Sequence, residues 1–311
     1  VATGDQSVEV DGKRLKLTNL DKVLYPESGT TKGEVVHYYS QVAEALLPLA
    51  ANRPATFRRF PDGVEAAGFF AKNVPRGTPD WVRRITLDSP GSSRGGGEKV
   101  TYPILDDLPT LVWAANLAAL ELHVPQWTIG PKGATRRPDR LVVDLDPGSP
   151  ATVVECCRVA QLVREVLDDD GLTAYPTTSG SKGLQVYAPI KPTDSERVVR
   201  YAKAMAERLT AAHPNLVLAR MEKSARRGKV FLDWSQNTAA KTTVLPYSLR
   251  ARPLPTTATP LTWDEVEACE HPEEVRFTGV EVAERLDSYG DLLADLHPDA
   301  DTTRAALPRG T

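Results

Sequence analysis

Asp144 and Asp146 stand two residues apart in the short run Leu141-Val142-Val143-Asp144-Leu145-Asp146, which Pro147-Gly148 closes. On a β-strand that spacing sends both carboxylates to one face and Leu145 to the other, with Cα atoms roughly 6.6 Å apart. Asp233 closes a second apolar run, Val230-Phe231-Leu232-Asp233. Three carboxylates gathered without counter-ions repel one another. The set therefore points to one or two hard divalent cations, Mg²⁺ or Mn²⁺, of the kind that serves phosphoryl transfer. A lone D-x-D pair is more often a solvated turn, and the third aspartate raises this one above that reading.

Ser179-Gly180-Ser181-Lys182-Gly183 lies between two strand-like segments. Glycines let a backbone approach a ligand closely, and successive N–H groups with an ammonium suit a triphosphate. The spacing is not that of a Walker loop. Ser179-x-x-Lys182 also fits a serine–lysine acyl-enzyme, although its usual companion motifs are absent, and a plain hairpin turn is the bland alternative. Arg220, Lys223, Arg226, Arg227 and Lys229 crowd the chain before the Asp233 strand, with Lys241, Arg250 and Arg252 following. Placed near the aspartates, they could hold a triphosphate or a nucleic-acid backbone. Strand alternation exposes at least one of Phe69 and Phe70, where a ring could stack on a base. On spacing alone His123 reads as a buried structural histidine.

These groups need elements to position them. Thr31-Lys32-Gly33-Glu34 is a capping box before a helix whose apolar face runs from Val35 to Leu47. Strands are predicted at 55–60, around 69–70, at 85–87 and at 100–102. The glycine-rich stretch Pro90–Glu98 reads as a loop. Leu108–His123 reads as one buried helix. Next come the Asp144 strand, a helix with Pro150 at its start, strands at 173–177 and 184–188 around the glycine turn, a helix over 195–212 and the strand 229–233. Strands interspersed with helices and tight turns predict a mixed α/β or α+β core.

The 311 residues suffice for a large buried core, and composition excludes a mostly disordered chain. No apolar run approaches the roughly 20 residues a membrane span needs. The N-terminus lacks a signal pattern and the three cysteines form no CxxC pair, so a reducing cytoplasm is the expected location. The net charge of −3 conceals a division. Residues 264–301 hold 13 acidic and 2 basic residues, while the rest of the chain holds 28 acidic and 36 basic. A polyanion-binding body with an acidic appendage fits that division; so does a solvated acidic tail.

The motifs LTNLDKVLYP, GTTKGE, RPATFRRFPDGV, FFAKN, LELHVPQW, LVVDLDPG, TSGSKGL, KVFLDWSQN and KTTVLPYSLR closely resemble the polymerase domain of bacterial ligase D, a branch of the archaeo-eukaryotic primase superfamily. The resemblance runs from about residue 15 to 296. It implies one primase-polymerase catalytic domain over 1–311, α+β, with mostly antiparallel central sheets flanked by helices and short terminal tails. The acidic segment 264–301 would be a packing element or a guard against loose DNA binding.

The resemblance implies template-dependent primer extension, preferring ribonucleotides, at gaps and double-strand breaks. It gives Asp144, Asp146 and Asp233 the catalytic role with two Mn²⁺ or Mg²⁺ ions. Arg58, His123, Ser179, Lys182, Lys241 and Arg250 match nucleotide-contacting positions, with Ser179 and His123 near the ribose. Lys22 and Lys32 match a pocket for a downstream 5′-phosphate, and Phe69 and Phe70 match aromatics that pack on the template. Arg226 falls in a mobile basic loop near the primer end. Gln185 stands where the family commonly has a histidine that points toward the nucleotide. Implied partners are gapped or broken DNA, NTP or dNTP, Ku and a DNA ligase, with no membrane. A non-catalytic module that bridges DNA ends is the rival from another class.

Overall fold

A computed structural model of the chain describes residues 5–88, 99–298, 300 and 304–308. The glycine-rich stretch 90–98, expected to be a loop, lies outside the described residues. Along the chain come β1 (Gln6–Val10), β2 (Lys13–Leu17), β3 (Val23–Tyr25), β4 (Thr30–Thr31), α1 (Lys32–Gln41), α2 (Ala43–Ala50), β5 (Thr56–Arg59) and β6 (Phe69–Ala71). They are followed by β7 (Arg84–Asp88), β8 (Lys99–Pro103), α3 (Leu108–Asn116), β9 (Ala119–Val124), β10 (Arg140–Pro147), α4 (Val153–Asp169), β11 (Tyr175–Thr178) and β12 (Leu184–Pro189). The last are α5 (Ser195–Ala212), β13 (Val217–Leu218), β14 (Val230–Asp233), β15 (Thr243–Val244), α6 (Trp263–Ala268) and α7 (Gly279–Tyr289).

Two larger sheets organise these elements, a five-stranded one in the order β11-β12-β10-β14-β13 and a four-stranded one in the order β15-β9-β5-β6. The named strands pair antiparallel except β13 with β14. In β10 the residues Leu141, Val143 and Leu145 join a core with Val159 and Val163 of α4 and Ala202 and Met205 of α5. Val142 and Tyr187, on the other face of the sheet, belong to a second core with Tyr39, Phe57, Leu111 and Leu122. Alternation along β10 therefore sends Asp144 and Asp146 away from the α4/α5 core. The far end of β10 is pinned by two buried arginines. Arg140 Nε donates to Gln126 Oε1 at 2.7 Å and Arg53 pairs with Asp139 at 2.5 Å.

Local signals in the sequence account for the helix starts. Both arms of the Thr31/Glu34 capping box form, and Thr152 with Glu155 makes a second one that starts α4 at Val153, later than the expected Pro150. The helix expected from Val35 to Leu47 is broken at Val42 into α1 and α2. The segment 108–123 is also divided, and this is the main correction to the sequence reading. α3 stops at Asn116, Ala118 turns with φ 54°, and β9 begins at Ala119. From Leu120 to Val124 β9 alternates apolar and polar residues, but both its faces are largely buried, with Glu121 and His123 turned to the site and not to solvent.

The described part of the acidic segment, 264–298, is tied into the fold by some of its charges. Arg285 grips Glu265 at 2.5 Å and Arg164 meets Glu267 at 3.1 Å. Tyr175 donates to Asp295 at 2.7 Å and Tyr247 to Asp291 at 2.6 Å. Among the described residues no helix is long and apolar enough to cross a membrane.

Candidate active site

Antiparallel register assembles the carboxylates. On β10, Asp144 lies opposite Asp233 of β14 on one side and Gln185 of β12 on the other. Ligand oxygens of Asp144, Asp146 and Asp233 all fall within 4.8 Å of one another. Burial, then the charges of Asp146 and Asp233, raise the Asp144 carboxyl to about 7, although the Gln185 N–H pulls the other way. Burial and Asp233 also raise Asp146. Asp233 is held by neighbours: its Oδ1 accepts from the Ser235 N–H at 3.0 Å and its Oδ2 from Gln236 Nε2 at 3.2 Å. Lys241 Nζ sits 3.4 Å from Asp233 Oδ2 and also bonds Ser235 Oγ. An all-oxygen, partly desolvated, self-repelling cluster fits a hard divalent cation such as Mg²⁺ or Mn²⁺.

Gln185 is buried and fully engaged. Its Nε2 donates to Asp144 Oδ1 at 3.0 Å, and its Oε1 accepts from the Tyr187 hydroxyl at 2.8 Å. Where the resemblance puts a histidine facing the nucleotide, this amide supports a carboxylate of the cluster.

Arg58 of β5, His123 of β9 and Arg250 converge on one residue that the sequence reading passed over, Glu121. Its Oε1 lies 3.2 Å from Arg58 Nη1 and 3.4 Å from Arg250 Nε, and its Oε2 lies 3.0 Å from His123 Nε2. Arg250 Nη1 also donates to the Ser179 carbonyl, tying this group to the glycine turn. That turn joins β11 to β12, with Ser179 Oγ accepting the Gly183 N–H at 3.1 Å. No hydrogen bond joins Lys182 to Ser179 among the described residues, which leaves the acyl-enzyme reading without geometry. Lys182, Arg252 and Arg276 border a cleft of about 670 Å³ beside the turn.

Phe69 and Phe70 point to opposite faces of the edge strand β6 and are both exposed, at 46% and 62%, so neither face is covered there. Arg59 lies over the Phe69 ring at 5.3 Å and Arg58 over the Phe70 ring at 5.8 Å, while the Phe70 and His123 rings meet at 5.9 Å. The phenylalanines thus form a wall beside Arg58 and His123. Lys22 and Lys32 are neighbours near the β3/β4 turn: Lys32 N donates to the Lys22 carbonyl at 2.8 Å. Lys22 pairs with Asp62 at 2.8 Å, and Lys32 Nζ reaches the Thr18 carbonyl at 2.5 Å. Burial, with Lys22 and Arg59 close by, lowers the Lys32 ammonium to about 8. Arg226 packs over Phe231 at 3.7 Å, next to the end of β10.

An α+β fold in which neighbouring antiparallel strands gather three carboxylates that could hold metal ions, with Arg226, Lys241 and Arg250 close by, is the arrangement of a nucleotidyltransferase. The family described as LigD, primase-polymerase domain, matches residues 31–293, and the chain belongs to that family. The chain is 47% identical over 93% of its length to the multifunctional non-homologous end joining protein LigD of Mycolicibacterium smegmatis. It is 35% identical over 91% of its length to the bifunctional non-homologous end joining protein LigD of Bacillus subtilis. These matches cover 37% and 44% of the two relatives. Its fold superposes with a TM-score of 0.86, at 45% identity, on the polymerase domain of Mycobacterium tuberculosis ligase D in complex with DNA, covering 92% of this chain and 99% of the other.

Proposed function

We propose that this chain extends a DNA primer opposite a template, preferring ribonucleotides, at gaps and double-strand breaks that carry a downstream 5′-phosphate. The observation that carries the reading is the meeting of Asp144, Asp146 and Asp233 within 4.8 Å. They would hold two Mn²⁺ or Mg²⁺ ions. When bound, such ions lower the pKa of a primer 3′-hydroxyl and stabilise charge developing at the α-phosphate.

Protein groups supply the rest. Lys241 balances Asp233 from the side. Lys182, Arg58 and Arg250 give cationic contacts for the triphosphate, and Ser179 and His123 meet the ribose. Gln185 orients Asp144. Phe69 and Phe70 offer exposed faces to template bases. Lys22 and Lys32 take the 5′-phosphate, with Lys22 leaving Asp62 for it, and Arg226 meets the primer end. The relatives' names, non-homologous end joining proteins, support a role in DNA end joining; Ku and a DNA ligase are the partners this reading proposes, on chromosomal DNA.

Primer extension on gapped, 5′-phosphorylated DNA tests the reading, with ribo- and deoxynucleotides in Mg²⁺ and Mn²⁺. Extension is expected with both metals and to vanish in Asp144→Asn and Asp146→Asn. Extension surviving in both variants would refute it. DNA binding with no incorporation by the parent protein would establish the end-bridging alternative.

A further inference from the structure

We propose that Glu121 is the positioning residue of the nucleotide side of the cleft, and that by holding the Nε2 edge of His123 it presents Nδ1 as a hydrogen-bond acceptor for a ribose hydroxyl. The inference rests on the nucleotidyl-transfer reading and adds to it a residue and a recognition chemistry.

Glu121 is 2% exposed, and a buried carboxylate is costly unless donors surround it. Arg58, His123 and the Ala251 N–H, at 3.1 Å, supply them, and the Arg250 guanidinium adds its charge with Nε 3.4 Å away. Burial raises its carboxyl, but the His123 hydrogen bond, Arg250 and the Ala251 N–H outweigh that and hold it at about 2. Burial first, then the charges of Arg250 and Arg58, lower Arg252 from its ordinary range, against the pull of Glu121. One carboxylate among them lets cations that would repel one another share the cleft.

The same carboxylate fixes the histidine. An ionised Glu121 can only accept, so the hydrogen between it and His123 belongs to Nε2. In the neutral ring the other nitrogen is then an acceptor. Nδ1 of His123 has no hydrogen-bond partner among the described residues. A ribose 2′-hydroxyl can donate to it, whereas a deoxyribose has no donor at that carbon. Glu121 would thus set sugar preference without touching the sugar.

Two measurements decide the proposal. In ¹⁵N-histidine-labelled parent protein, followed to a pH at which the His123 ring is neutral, that ring, assigned with His123→Asn, is expected to carry its hydrogen on Nε2 and none on Nδ1. A neutral ring with its hydrogen on Nδ1 overturns the acceptor assignment, and this result does not depend on a variant folding. In Glu121→Gln the KM for ribonucleoside triphosphates is expected to rise about tenfold or more with a much smaller change in kcat. The ribose-over-deoxyribose preference is expected to shrink, with Mn²⁺ affinity as in the parent. Unchanged KM and sugar preference overturn the positioning role. If the parent protein incorporates no nucleotide, the functional reading fails by itself, and the ring spectrum still decides the tautomer.

Discussion

Lys32 illustrates how one side chain's surroundings become a measurable property. Its ammonium, lowered to about 8 by burial, then Lys22 and Arg59, keeps its charge below that pH and loses it above. A bound phosphate dianion favours the charged form and raises the value again, so binding takes up a proton near and above pH 8. The sign follows: preference for 5′-phosphorylated over 5′-hydroxyl gapped DNA should be largest near neutral pH. It should then fall by up to about tenfold per pH unit above 8. Competition binding at neutral pH and at about pH 9.5 measures it, and Lys32→Ala should weaken the preference and remove its pH dependence. A preference that stays flat across that range would remove Lys32 from the phosphate pocket. None of this was legible in the sequence. The lysine was found by resemblance, but its burial against Thr18 depends on residues that fold back from elsewhere in the chain.

Strands explain why one half of the site could be read and the other could not. The D-x-D pair shows its common face because β10 is a β-branched strand that Pro147-Gly148 closes. The E-x-H pair of Glu121 and His123 has the same two-residue logic on β9. It was hidden because the preceding apolar residues extend the stripe of α3 and no glycine or proline marks the turn at Ala118. Register carries as much information as alternation, and register is long-range: nothing local says that Asp233 pairs with Asp144. The close packing of this sheet can be tested at Gly183, where an added Cβ would sit 2.2 Å from the Leu145 carbonyl, between the two aspartates of β10. Gly183→Ala should cost about 1–3 kcal/mol and lower Tm by several degrees. It should also weaken Mn²⁺ binding by displacing β10. Gly12→Ala has open space and costs only the strain of its φ of 72°, so it should leave the metal site untouched. Equal Mn²⁺ affinity in both variants would show that the turn does not hold β10 in place.

At the scale of the whole molecule, the division of charge acquires a structural cause. Six acidic residues of the described part, 264–298, serve as caps or anchors: Glu265, Glu267, Glu274, Glu281, Asp291 and Asp295. Glu265, Glu274 and Glu281 close capping boxes, Glu265 also grips Arg285, and Asp291 and Asp295 accept from tyrosines of the body. Charges committed in this way favour a packing role over a guard against DNA. The two roles predict opposite results when the charges are neutralised. In Glu274→Ala, Glu281→Ala and Asp295→Ala combined, the lost capping hydrogen bonds and the lost tyrosine contact should lower stability, read as a lower Tm. Affinity for gapped DNA and the slope of log K against log salt should stay close to those of the parent, because that slope counts the phosphates contacted by the basic body. A guard would instead be weakened by the same changes, giving tighter binding at low salt with stability intact. Tighter binding of that kind would restore the guard role to the acidic segment.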